Sequence, residues 1–139
     1  MQNSKKALGN FGEGIAEEFL KKKGYTIKER NYFIRGGEID IIAYDGKTLV
    51  FAEVKTRTFD YARKYGRAYE AVDKHKMAYL TRAASVYLKK NFRWIVDDLR
   101  FDVIEVYIPD SGVVTDKDKV YITHIKDAFV PTKLPYRRK

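Results

Sequence analysis

The chain has no cysteine and only two histidines, His75 and His124. The first absence excludes disulfides, zinc–thiolate centres and cysteine nucleophiles, and the second leaves little room for histidine-rich metal chemistry. No apolar run approaches the ~18 residues of a membrane span, and the N-terminus lacks the apolar core of a signal peptide. No internal repeat or linker interrupts the pattern. The expectation is a cytoplasmic protein with no membrane partner. One domain is expected over residues 1–130, followed by a basic, flexible tail over 131–139.

Positive charge is in excess. Across 139 residues the net charge is +9 and the pI is close to 9.6. Such a balance favours polyanions, chiefly nucleic acid, with an anionic membrane surface second. From Lys55 to Arg93 there are eleven Lys or Arg against three acids, a net of +8, so the excess is concentrated in one segment. An apolar content of 45% fits a single domain with a real core.

Against that background the stretch Gly36–Arg57 stands out. Two runs of branched apolar residues flank Asp45-Gly46, a strong hairpin signal. Inside them sit Asp40, Glu53 and Lys55. Burying a charge without a partner costs several kcal/mol, so these three need a reason to be there. With the turn at Gly46-Lys47, paired positions sum to 93 and Asp40 lies opposite Glu53. With the turn at Asp45-Gly46 they sum to 91 and Glu53 becomes a diagonal neighbour. Either register puts Asp40, Glu53 and Lys55 on one face by the period-2 rule. Opposed side chains have Cβ atoms about 5 Å apart, close enough for two carboxylates to share one hard divalent cation. Lys55 would then project beside the ion, where it could orient a water or offset charge on a phosphate. The spacing equally fits a structural ion pair of Lys55 with Glu53 or Asp40 on a solvated edge strand.

The rest of the chain is read in order. Lys5–Lys23 has the spacing of an amphipathic helix, with Gly24 ending it. Glu13 has apolar neighbours at Ala16 and Leu20 and could point toward a sheet, but it reads as an acid in a favourable first-turn position in preference to that. Tyr25–Ile34 reads as a strand, bulged around Arg30-Asn31. Glu38 shares the parity of Asp40 and reads as a solvated strand end in preference to an additional ligand. Thr58–Tyr69, rich in Tyr, Arg and Lys and without a sustained period, reads as a mobile loop suited to phosphate contact and base stacking. Asp73 can cap a helix running to about Lys90. Arg100–Ile108 and Val120–Ile125 read as strands around a polar turn. Arg57, Arg63, Lys64, Arg67, Lys74 and Lys76 are the candidate nucleic-acid contacts.

The combination of Gly9-Asn10-Phe11-Gly12-Glu13, Arg30-Asn31, Gly37-Glu38-Ile39-Asp40, Phe51-Ala52-Glu53-Val54-Lys55 and Arg100-Phe101-Asp102-Val103 resembles the YraN-like bacterial proteins. That group is similar to archaeal Holliday junction resolvases. The resemblance implies an α/β, restriction-endonuclease-like core: a mixed central sheet containing an antiparallel hairpin, flanked by helices. It implies Asp40 and Glu53 as ligands of Mg²⁺ or Mn²⁺, Lys55 as a catalytic residue assisting the attacking water, and Glu13 as the extra acid of the resolvases. It extends to a homodimer acting on branched DNA. Three functions remain open at this point. One is a metal-dependent DNA endonuclease, the second a non-catalytic nucleic-acid-binding module, and the third a repair or recombination adaptor.

Overall fold

A computed structural model describes residues 4–91, 96, 98–110 and 119–129. The expected tail over 131–139 and most of the polar turn before the last strand lie outside the described residues. The first helix, α1 (Ser4–Lys22), is followed by three antiparallel strands, β1 (Thr26–Ile34), β2 (Gly37–Asp45) and β3 (Thr48–Thr58). The chain then passes through a short helix α2 (Phe59–Tyr65), a 3-10 turn (Ala68–Ala71) and a long helix α3 (Lys74–Asn91). It returns as β4 (Asp98–Ile108), parallel to β3, and ends on β5 (Tyr121–Ile125), antiparallel to β4. The five strands lie in the order of the sequence. A parallel step needs a crossover, and the helical segment between β3 and β4 supplies it. The fold is thus mixed α/β, with a mixed sheet that contains an antiparallel hairpin and is flanked by three helices.

Period-2 alternation sorts the strands onto two cores. On β3, Val50, Ala52 and Val54 join Ala16 and Leu20 of α1, whereas Leu49 and Phe51 join Leu80, Ala84 and Leu88 of α3. The two long helices therefore cover opposite faces of the sheet. Phe51 stacks on Phe101 with ring centroids 5.5 Å apart, and burying each such side chain contributes about 1.5–3 kcal/mol. Gly12 permits the close seat of α1 on β3: a Cβ there would lie 1.7 Å from Thr56 Oγ1.

The hairpin takes the first of the two expected registers. Asp45 pairs with Thr48, so the two-residue loop is Gly46-Lys47. Gly46, at φ 59°, supplies the positive φ that a type II′ turn needs at its first central position. β1 shifts register between Ile27 and Glu29, and at the expected Arg30-Asn31 position Asn31 adopts a left-handed φ of 52°. The expected loop over Thr58–Tyr69 is instead α2 and the 3-10 turn. Thr58 Oγ1 accepts the Tyr61 N–H at 3.1 Å, and Asp110, from the end of β4, accepts the Asp60 N–H. Those two caps satisfy donors that would otherwise need water, and hold a helix too short to show a period.

Candidate metal centre

Asp40 enters the site through a local break in the sheet. Ile39 belongs to the α3 core and Ile41 to the α1 core, although their parity is the same. Across the strand pair, Arg30 opposite Ile41 reaches Glu13 and Glu17 of α1, while Tyr32 opposite Ile39 packs edge-on against Tyr87 of α3. Both strands therefore flip faces between these pairs, at Asn31 and Asp40. The left-handed Asn31 is the backbone device that allows it, since Asn tolerates that region better than most residues. The β2–β3 ladder ends at Ile41–Ala52. Beyond it the Asp40 Oδ2 accepts the Val54 N–H at 2.8 Å, replacing the lost ladder bond. Thus Glu53 and Lys55 share a face as the alternation requires, but Asp40 meets them from the split between β2 and β3.

Glu13 is buried and faces inward; α1 begins nine residues before it, so it is not a first-turn acid. One oxygen each of Glu13, Glu38 and Asp40 lies within 4.8 Å of the others, in a group that does not include Glu53. Glu38 is therefore part of the cluster, where the sequence favoured a solvated strand end. Its place in Gly37-Glu38-Ile39-Asp40 and its shared parity with Asp40 were the available signals.

Glu53, the residue after the last β2–β3 pair on its strand, is 3% exposed. Its Oε1 lies 3.4 Å from Lys55 Nζ and 3.2 Å from Lys76 Nζ of α3, while Oε2 is buried with no hydrogen-bond partner. Burial pushes the Asp40 carboxyl up to about 7 against the pull of the Val54 N–H, with Glu13 adding to the rise. Burial and then the Asp40 charge push Glu53 up to about 7, opposed by Lys76 and Lys55. Burial also raises Glu13, which Asp40 and Arg30 pull back and Glu38 and Glu53 raise further. The site is a pocket of acid without enough cation around it.

The expected nucleic-acid contacts are less uniform. Arg57 lies over the Tyr61 ring at 5.3 Å. Arg63 pairs with Asp110 at 3.0 Å, Lys64 with Asp60 at 3.5 Å, and Arg67 with the buried Glu105 at 2.8 Å. Lys74 is exposed at the start of α3, and Lys76 turns inward onto Glu53. Two of the six, Arg63 and Arg67, thus brace the α2 region against β4 and the Asp110 that follows it, while Lys64 pairs within α2.

A buried acid outside the cluster, Asp102 on β4, has ample partners. Arg100 donates to it twice, at 2.8 and 2.9 Å, and reaches Asp45 at 3.0 Å and Tyr25 Oη at 2.9 Å. His124 Nε2 lies 2.7 Å from Asp102, and the Asp127 N–H donates to it at 3.0 Å. Burial alone would raise this carboxyl, but His124, Arg100 and the Asp127 N–H hold it below the usual range.

The fold and site define a mixed α/β protein with a buried, under-neutralised carboxylate cluster at one end of a hairpin. Residues 12–106 match the uncharacterised protein family UPF0102. A UPF0102 protein of Caldanaerobacter subterraneus subsp. tengcongensis is 42% identical over 127 residues, covering 91% of this chain and 97% of the relative. One of Caldicellulosiruptor saccharolyticus is 43% identical over 130 residues, covering 91% and 99%. One of Geobacter metallireducens is 44% identical over 124 residues, covering 89% and 93%. The chain belongs to family UPF0102, the YraN family, as its motifs indicated.

Proposed function

We propose that the protein is a metal-dependent DNA endonuclease that hydrolyses phosphodiester bonds with Mg²⁺ or Mn²⁺, branched or junction DNA being the first substrate class to test. The observation that supports this best is the pair Asp40 and Glu53, both buried just beyond the end of the β2–β3 ladder, both pushed to about 7, with Glu53 Oε2 unpartnered. Holding unneutralised acid in a core costs several kcal/mol, which a bound cation relieves. The donor set fits a hard ion: it is all carboxylate oxygen. Asp40 and Glu53 would hold it, with Glu13 and Glu38 beside them. Such a cation supplies charge neutralisation and polarises a phosphate.

The chain's own groups supply the rest. The Val54 N–H fixes the Asp40 carboxylate in one orientation. Lys55 and Lys76 approach Glu53 from two elements, and with a cation on Glu53 both ammonium groups would be released to stabilise negative charge on a phosphate. Arg57 and Lys74 would hold the backbone without reading bases. A two-fold homodimer of the single domain over 1–130 would present two such sites to a symmetric junction, and the tail over 131–139 would add nonspecific phosphate affinity.

One observation favours a non-catalytic nucleic-acid-binding module or adaptor instead: Lys55 and Lys76 already neutralise one oxygen of Glu53. The test is to incubate the protein and Lys55→Ala with labelled four-way junction, flap, single-stranded and linear duplex DNA, in Mn²⁺ and in EDTA. Cleavage that needs both Mn²⁺ and Lys55 supports the nuclease. Shifted but uncut DNA in every lane supports the binding module, and no shift at all supports the adaptor.

A further inference from the structure

The side of α3 that leaves the carboxylate cluster carries a basic line with an aromatic at its centre. Lys76, Tyr79, Arg82, Val86 and Lys90 follow one another at steps of three or four residues, so they share one stripe of the helix. At 1.5 Å per residue the stripe is about 21 Å long. Its near end is at the cluster, where Lys76 Nζ lies 3.2 Å from Glu53. The Tyr79 ring sits between Lys76 and Arg82, at 5.4 and 5.6 Å from their charged groups, and its Oη is buried without a hydrogen-bond partner. The ring also packs against the backbone at Gly37, the first residue of the strand that carries Glu38 and Asp40.

At the far end Arg82, Val86 and Lys90 meet Phe33, Ile34 and Arg35 around a groove of about 800 Å³. Three of these six residues are cations and none is an acid. Among the described residues no carboxylate pairs with Arg35, Arg82 or Lys90. Phe33 is 71% exposed, although it lies within β1. An exposed ring rimmed by cations is how proteins hold an unpaired nucleotide, with the base stacked and the phosphates neutralised. A duplex offers no free base face to such a ring.

We propose that this groove binds a single-stranded stretch of nucleic acid, with a base on Phe33 and phosphates on Arg35, Arg82 and Lys90, and that the strand runs past Tyr79 to the carboxylate cluster. The strand's destination rests on the nuclease reading; its binding does not. Together they select a substrate with a single-stranded arm, such as a flap or fork, over an unbroken duplex.

Fluorescence anisotropy in EDTA, where no cleavage occurs, tests the binding. The probes are a short labelled oligothymidylate, its RNA counterpart and a blunt duplex, each titrated at two salt concentrations. Phe33→Ala should weaken single-strand affinity roughly 5- to 100-fold, Phe33→Tyr should retain it, and duplex affinity should change little. Arg82→Ala with Lys90→Ala should lower the single-strand salt slope by about 1.4, two phosphates at ~0.7 each. These two exposed helix positions carry the test if Phe33→Ala lowers the melting temperature. Unchanged single-strand affinity in all variants, or equal losses on strand and duplex, would overturn the proposal. If Phe33 matters for binding while Mn²⁺ produces no cleavage of any DNA, the groove stands and the nuclease reading falls. If flap DNA is cut with no dependence of binding on Phe33 or Arg82, the reverse holds.

Discussion

Asp102 and Asp40 lie in the same sheet and are 1% and 7% exposed, yet their surroundings differ in kind. Asp102 receives two bonds from Arg100, one contact from His124 and a backbone N–H, and its carboxyl is held low. Asp40 receives one backbone N–H, faces the Glu13 carboxyl, and is pushed to about 7. Nearby, Glu53 keeps one oxygen with no partner. Both ends pay for burial, but only the first recovers it within the chain. A carboxylate set whose charge is completed from inside serves the fold, whereas one that is left incomplete is arranged for a cation from outside.

The largest effect should come from the incomplete end. Glu53→Gln or Asp40→Asn should lower metal-dependent cleavage by ~10³-fold or more, measured on the best-cut DNA substrate, while DNA affinity holds or tightens because a repulsive charge is gone. Loss of binding with cleavage intact would reverse the roles of the two properties. Truncation at the complete end should instead destabilise the fold. Asp102→Ala leaves Arg100, with a side chain only 13% exposed, facing a vacated site, and should cost about 3–5 kcal/mol by denaturant titration. A small loss there would mean that Asp45 and Tyr25 suffice for Arg100.

A pH series separates the two ends further. Asp40 titrates near 3.8 when unfolded and at about 7 when folded. Between those values the folded chain holds the extra proton, so stability of the metal-free protein falls as pH rises through that window and is level above it. Asp40→Asn cannot lose this proton. It should be more stable than the parent by about 1–3 kcal/mol at pH 8 and show no such gain near pH 4. Asp102 has the opposite sign: its depressed carboxyl contributes stability above the usual carboxylate range, lost as pH falls below it. The smallest effect concerns the seat of α1. Gly12→Ala drives a Cβ onto Thr56 Oγ1 and should cost about 1–2 kcal/mol net of the helix-propensity gain. It should also weaken Mn²⁺ binding by displacing Glu13, which a purely local packing change would not do.

Much of this was legible in the chain. The apolar runs around Asp45-Gly46 announced the hairpin, and one of its two registers, with the turn at Gly46-Lys47, is the one formed, although its pairing stops at Ile41–Ala52, short of Asp40 and Glu53. Asp73 caps α3 through the Lys76 N–H at 2.9 Å, as its position suggested. Helix α2 was not legible because its N-terminus is held partly by Asp110, remote in sequence, and seven residues show no period. The pairing of Arg63 and Arg67 with Asp110 and Glu105 was hidden for the same reason. The face flip at Asp40 left one trace only, an asparagine within a strand, and strict alternation argued against it. Lys76 was legible as a candidate nucleic-acid contact, but its ion pair with Glu53 depends on how α3 lies across the sheet. No helix among the described residues is long and apolar enough to cross a membrane.

The most direct test is a Mn²⁺ titration followed by electron paramagnetic resonance of the free ion, at pH 8 and pH 5.5, for the parent and Asp40→Asn. Saturable uptake is predicted at pH 8, weakened at pH 5.5 as protons compete for carboxyls that titrate near 7, and lost in Asp40→Asn. No uptake at millimolar Mn²⁺ at pH 8, or uptake that Asp40→Asn leaves unchanged, would contradict a metal site at this cluster.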